Sequence, residues 1–362
     1  FRINCAMLTA TDLPPILASA VPDREQPKGS KTMRKNLHLL RLLAALSLLL
    51  LSMPGASGQT VPNVNPPQTL TALSGGAVDM VLVGQLGGAT LAVDVVGDLV
   101  YAGIGPRLAI FDASDPASPQ LLGQTAPLPR VLESVEVVGN TAYVAAGDAG
   151  LVVVDVSDVA APVELGFVDT VGHAWDVAVS GDYAFVADGV AGLCVVNVAD
   201  PAAPADAIYL DTTGEALGVA LSGDYVYVAD GAGGLLAIDV VDPALPTEVG
   251  SAPSPGPAYG LHVDGHYAYV ATGSAGLWVV DVFDPENPTS VDTANTTGIA
   301  QDVAVAQGYA YVAVDESGLA VVSVSDPEHP GEPVYQDTPG YAMGVAVEES
   351  SAYVADDLGG LR

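Results

Sequence analysis

The chain has 362 residues, 50% of them hydrophobic and only 15% charged, which excludes intrinsic disorder because such a composition has ample apolar surface for a core. Its 43 acids against 10 bases give a formal net charge of -33, and from residue 59 onward 40 acids face only Arg107, Arg130 and Arg362, a net charge of -37 with no lysine. Such a surface repels nucleic acid and anionic membrane surfaces, so neither is an expected partner.

Residues 1–32 have no periodicity and read as translated upstream sequence without a folded role. A start at Met33 places Arg34, Lys35 and Arg41 around the apolar run Leu42 to Leu51, the pattern of a secretory signal over residues 33–58. That run is about half of the roughly 20 residues that span a bilayer. Ala56-Ser57-Gly58 supplies small residues for cleavage, so an extracellular or cell-surface location is expected. A long basic leader is the alternative. Residues 59–76, rich in Pro and Thr, read as a linker. Cys194, the single cysteine left after processing, reads as a small core residue.

From residue 77 the chain repeats with a period of 42: Gly97, Gly139, Gly181, Gly223 and Gly265, with Gln307 and Glu349 at the next two steps. Each unit carries four short strand signals, A to D, as in Asp176 to Val179, Tyr183 to Ala187, Leu193 to Val198 and Ala205 to Leu210. β-Branched residues and frequent Gly and Pro argue against helix. Four strands per repeat of about 40–45 residues point to an all-β propeller. Strands A and B occur seven times, strand D seven times if Val81-Leu82-Val83-Gly84 is included, and strand C six times before the sequence stops. The expectation is a seven-bladed ring of four-stranded blades over 77–362, the last blade cut short and closed by the N-terminal strand. An open solenoid or a longer ring remains the alternative.

The word Gly276-Leu277-Trp278-Val279-Val280-Asp281-Val282-Phe283-Asp284-Pro285, with counterparts from Gly150, Gly192, Gly234 and Gly318, resembles the LVIVD-repeat family. The resemblance implies a secreted or surface β-propeller and carries no catalytic motif.

Comparing repeats separates framework from candidate site. Tyr183 and Phe185, Tyr225 and Tyr227, Tyr267 and Tyr269 alternate and should pack against a neighbouring blade. Asp115, Asp200, Asp242, Asp284 and Asp326, each before Pro, suit Asx turns. The D–A loops vary, and they lie on the rim of the channel in a propeller. Steps of 42 give one ring containing His173, Glu215 and Tyr341 and a second containing Glu133, Trp175, Leu217, Tyr259, Gln301 and Met343, with Arg130 beside both. Arg130, Glu133, His173, Trp175, Glu215, Tyr259, Gln301, Tyr341 and Met343 are therefore the expected ligand-binding residues, for an extracellular protein, peptide or glycan.

Within strand A, Asp94, Glu136 and His262 interrupt a ring of alanines. They read either as groups lining a hydrated channel or as a metal site, with calcium the favoured ion for oxygen ligands. No nucleophile elbow, phosphate loop or His-Glu-x-x-His motif is present. A non-catalytic binding scaffold is the first expectation, and an extracellular hydrolase or lyase using rim carboxylates the alternative.

Overall fold

The computed structural model describes Met80, Leu82 and residues 88–362. The segments read as upstream sequence, signal peptide and linker lie outside the described residues, as does most of the N-terminal strand expected at Val81–Gly84.

The described strands form antiparallel meanders. The first blade is β1 (Thr90–Val96), β2 (Leu99–Ile104), β3 (Leu108–Asp112) and β4 (Gln120–Gln124). The second is β5 (Ser134–Val138), β6 (Thr141–Ala145), β7 (Leu151–Asp155) and β8 (Val163–Val168); the third is β9 (Asp176–Ser180), β10 (Tyr183–Ala187), β11 (Leu193–Asn197) and β12 (Ala205–Leu210). The fourth is β13 (Gly218–Ser222), β14 (Tyr225–Ala229), β15 (Leu235–Asp239) and β16 (Thr247–Ala252); the fifth is β17 (Leu261–Asp264), β18 (Tyr267–Ala271), β19 (Leu277–Asp281) and β20 (Thr289–Ala294). The sixth is β21 (Asp302–Ala306), β22 (Tyr309–Ala313), β23 (Leu319–Ser323) and β24 (Val334–Gln336), and a two-stranded sheet of β25 (Gly344–Glu348) and β26 (Ser351–Ala355) follows. The structure therefore holds six four-stranded blades and a partial further sheet.

The inner strands β1, β5, β9, β13, β17, β21 and β25 are successive neighbours, and β25 lies against β1. Their circle is closed by a backbone bridge in which Thr90 N–H donates to Asp357 O at 3.1 Å and Asp357 N–H to Thr90 O at 2.9 Å. An open solenoid is thereby excluded for these residues.

The repeat words explain the local geometry. Strand C ends in an Asp whose Oδ1 accepts the N–H two residues on, at 2.8 Å from Ser157 to Asp155 and 2.9 Å from Val241 to Asp239. The Asp of each Asp-Pro pair does the same, as Ala202 N–H does to Asp200 at 3.1 Å. Two consecutive Asx turns thus swing the chain from strand C toward strand D. Asn197 substitutes without loss because its Oδ1 accepts from Ala199 at 3.0 Å, and Asp158, which lacks the Pro, still accepts from Ala160 at 3.1 Å.

The core lies between blades. Tyr101, Leu108 and Ile110 of the first blade interlock with Val144, Val152 and Val154 of the second. Phe185, Tyr227 and Tyr269 are fully buried against the following blade, as their alternation predicts. Val100 and Phe111 pack with Ala346 and Leu361 across the closure. Trp278 is completely buried and its indole N–H donates to Ser290 Oγ at 2.8 Å. Each such side chain contributes roughly 1.5–3 kcal/mol by leaving water. Cys194 is buried in the cluster between the second and third blades, where burial pushes its thiol up to about 12, so it is an inert packing group.

Candidate functional site

Five of the D–A loops are held by a two-bond bridge to the B–C loop of the preceding blade. Gly147 and Ala174 exchange N–H···O bonds of 3.1 Å, and the pattern recurs at Gly189 with Ala216, Gly231 with Ala258, Gly273 with Ala300 and Asp315 with Ala342. The bridging alanines are fully buried. Because side chains alternate along an extended segment, the two residues flanking each alanine fall on the face opposite it, so both rings of variable residues lie at the rim.

One ring turns inward. Leu91, Glu133, Trp175, Leu217, Tyr259, Gln301 and Met343, all spaced by 42, line a central cavity of about 410 Å³ together with Glu215. Below them residues at or beside the start of the inner strands form its neck, where Ser134, Asp176 and Asp302 stand among Ala92, Gly218, Gly260 and Gly344. The glycines are required by close approach: a Cβ at Gly218 would collide with Tyr259 O, and one at Gly260 with Asp302 Oδ1.

Six of the nine expected ligand-binding residues, Glu133, Trp175, Glu215, Tyr259, Gln301 and Met343, are thus brought together. The other three, Arg130, His173 and Tyr341, are not among the residues that line the cavity. His173 Nδ1 lies 2.7 Å from Asp148 Oδ1, its Nε2 is 3.7 Å from Glu133 Oε1, and its ring packs on Trp175 with centroids 4.4 Å apart. The His173 hydrogen bond holds the Asp148 carboxyl below its ordinary range, with the Arg130 charge a smaller contribution. Arg130 itself is exposed and is not part of the cavity wall. Tyr341 donates its hydroxyl to Glu316 Oε1 at 3.0 Å. Asp148 and Glu316 occupy equivalent repeat positions, as His173 and Tyr341 do. These two pairs are therefore the same inter-blade tie made with different chemistry.

The neck carboxylates, missed in the sequence, tie adjacent blades. Asp176 accepts Val177 N–H at 2.9 Å, Val219 N–H of the next blade at 2.9 Å and Ser134 Oγ–H at 2.6 Å. Asp302 accepts Val303 N–H at 2.8 Å and Val345 N–H at 3.0 Å. Asp94, two residues along β1 from the neck, repeats the arrangement with Val95 at 2.7 Å and Val137 at 2.8 Å. The only signal for this in the sequence is an Asp interrupting a ring of Ala, Ser and Gly at the start of strand A.

Burial raises the carboxyls of Asp94 and Asp302 to about 6 and that of Glu136 to about 8, against the opposing backbone hydrogen bonds. Burial also raises Glu133, opposed by His173, and lowers His262. Asp94, Glu136 and His262 sit on β1, β5 and β17. Among the described residues no group of three or more His, Cys, Asp or Glu side chains is placed to hold a metal ion, so these three do not converge as a calcium or other metal set. Asp94 spends its oxygens on backbone N–H groups instead.

A ring of antiparallel meanders around a ligand-sized axial cavity defines a β-propeller. The sequence model of the LVIVD repeat matches residues 87–126, 130–170, 171–212, 213–253, 255–296, 297–338 and 339–362, and the chain belongs to that family. No curated protein matches its sequence. Among solved structures it is similar to the β-propeller domain of Cps50 (Swd1) from Myceliophteria thermophila, with a TM-score of 0.63, 12% identity, and coverage of 80% of this chain and 96% of that one. It is also similar to the computationally designed protein Ika8, with a TM-score of 0.55, 8% identity, and coverage of 77% and 97%. At these identities the likeness concerns the fold alone.

Proposed function

We propose that this protein is a secreted or cell-surface binding scaffold whose propeller takes a protein, peptide or glycan ligand at the rim of the central cavity. One observation carries the reading: the seven positions that ring the cavity mouth hold Leu twice and Glu, Trp, Tyr, Gln and Met once each, while the bridging position beside them is a buried Ala in five repeats. A repeated framework that varies at the positions lining a ligand-sized cavity is the pattern of a recognition surface. Trp175, 40% exposed at the mouth, is its natural anchor. Export, expected from residues 33–58, supplies the address.

The ring itself is proposed as seven-bladed. Leu361 and Arg362 already pair with β26, Val354 N–H donating to Arg362 O at 2.9 Å, as the start of a third strand. Met80 packs against the cluster between the sixth blade and the two-stranded sheet.

A glycan and peptide array probed with the full chain tests the function. Retention of a ligand class that is lost in Trp175→Ala, without turnover of the ligand, is expected. Ligand hydrolysis abolished by Glu133→Gln or Glu215→Gln would replace the scaffold with the hydrolase or lyase alternative.

A further inference from the structure

We infer that the central cavity recognises an alkylammonium group, presented by a lysine side chain of a peptide or by a free polyamine. This rests on the scaffold reading and names the ligand chemistry of the same cavity. The wall holds four carboxyl groups, Glu133 and Glu215 at the mouth and Asp176 and Asp302 at the neck, and no Lys, Arg or His. Trp175 and Tyr259 add two aromatic faces, and Leu91, Leu217 and Met343 add apolar surface.

Acid, aromatic ring and aliphatic wall together match one ligand shape, a cationic head on a methylene stem. The ring quadrupoles and the carboxylates attract the head, and the apolar side chains cover the stem. A carboxylated or sulfated ligand meets four like charges. The hydroxyls of an uncharged sugar donate to carboxylates but leave their charge uncompensated once water is displaced, which costs free energy.

The charge demand extends below the neck. Oε2 of Glu136, two residues along β5 from the neck residue Ser134 and therefore on the same strand face, is buried with no hydrogen-bond donor. Such an acceptor is satisfied by a proton or by a donor entering along the axis. The volume of about 410 Å³ admits a side chain or a linear amine and excludes a folded domain. The net charge of -37 beyond residue 59 draws cations toward the molecule over a longer range.

Isothermal titration of the full chain with spermidine, with a lysine-containing pentapeptide, and with glutamate and glycine analogues of that peptide tests the inference at 50 and 300 mM NaCl. Binding of spermidine or the lysine peptide is expected, weakened at least tenfold by the double substitution Glu133→Gln/Glu215→Gln and by Trp175→Ala, restored in part by Trp175→Phe, and reduced by salt. The two cationic arms distinguish a free amine from a peptide side chain. Cations that bind equally to wild type and to folded variants show mere surface screening and overturn the inference. A neutral or acidic ligand whose binding is lost in Trp175→Ala overturns the inference and leaves the scaffold reading standing. A chain that binds nothing in a Trp175-dependent way overturns both.

Discussion

Glu136 shows what a single off-pattern residue does to this ring. Four of its equivalents, Ala178, Ala220, Ala304 and Ala346, carry no charge, and its own carboxyl is raised to about 8 by burial. A folded state that binds a proton more tightly than the unfolded chain is stabilised below the unfolded pKa, here 4.5, and loses that stability as pH rises through about 8. Asp94 and Asp302 lose theirs earlier, between 3.8 and about 6. Urea unfolding of Glu136→Ala should therefore match wild type near pH 5 and exceed it at pH 8.5 by roughly 1–3 kcal/mol, since a tenfold change in proton affinity is worth about 1.4 kcal/mol. Parallel pH profiles for the two proteins would refute the burial argument. A second off-pattern residue is Glu349, at φ +51°, where five other repeats place Gly in the hairpin between strands A and B. The left-handed conformation costs a non-glycine residue about 1–2 kcal/mol, against about 0.4–1 kcal/mol of added unfolded-state entropy for Gly. Glu349→Gly should raise the urea midpoint by the equivalent of about 0.5–1 kcal/mol, and the bond from Gln307 Nε2 to the Glu349 carbonyl survives the change. Both departures are visible in the sequence by counting in steps of 42, because a strict repeat supplies its own reference.

Among the elements, the ties between one blade's D–A loop and its neighbours do most to define the site, and they are where sequence reading falls short. Asp188 and Asp356 lie at the B–C hairpins. In the structure both are buried. Asp188 accepts Thr170 Oγ–H at 2.6 Å and Gly172 N–H at 2.8 Å, and Asp356 repeats this with Thr338 at 2.5 Å and Gly340 at 2.8 Å. Asp188→Ala strands two buried donors and should cost about 2–4 kcal/mol in equilibrium unfolding, whereas Asp188→Asn, which keeps one acceptor, should cost less. Equal losses would mean that volume, not hydrogen bonding, holds the loop. The strands, their order and the inter-blade aromatics were legible because period-2 alternation and Asp-Pro turns are local signals. The division of the rim residues was not. His173, Glu215 and Tyr341 share one repeat position, yet Glu215 lines the cavity while His173 is tied to Asp148 and Tyr341 to Glu316 across the blade boundary. Asp176 and Asp302 were missed because their partners, Val219 and Val345, lie 43 residues on.

Across the ring as a body, the structure sharpens what the net charge implies. Among the described residues the ion pairs that involve a permanent cation reduce to Arg362 with Asp356, and the remaining three use His173 or His329. The negative charge is thus compensated mainly by solvent ions, and it is spread over a closed ring whose members cannot move apart without unfolding. Self-repulsion of this kind is screened over about 10 Å at 0.1 M salt and about 3 Å at 1 M. The melting temperature at pH 7.5 should rise by several degrees between 20 mM and 1 M NaCl, and millimolar calcium should act in the same direction through screening. Salting-out of apolar surface would also raise stability, but it is insensitive to protein charge. Repeating the titration near the sequence pI of about 4.1 separates the two, because the net charge there is close to zero. A salt response that disappears at pH 4 assigns the stabilisation to repulsion among the acids. One that persists unchanged assigns it to the hydrophobic inter-blade core.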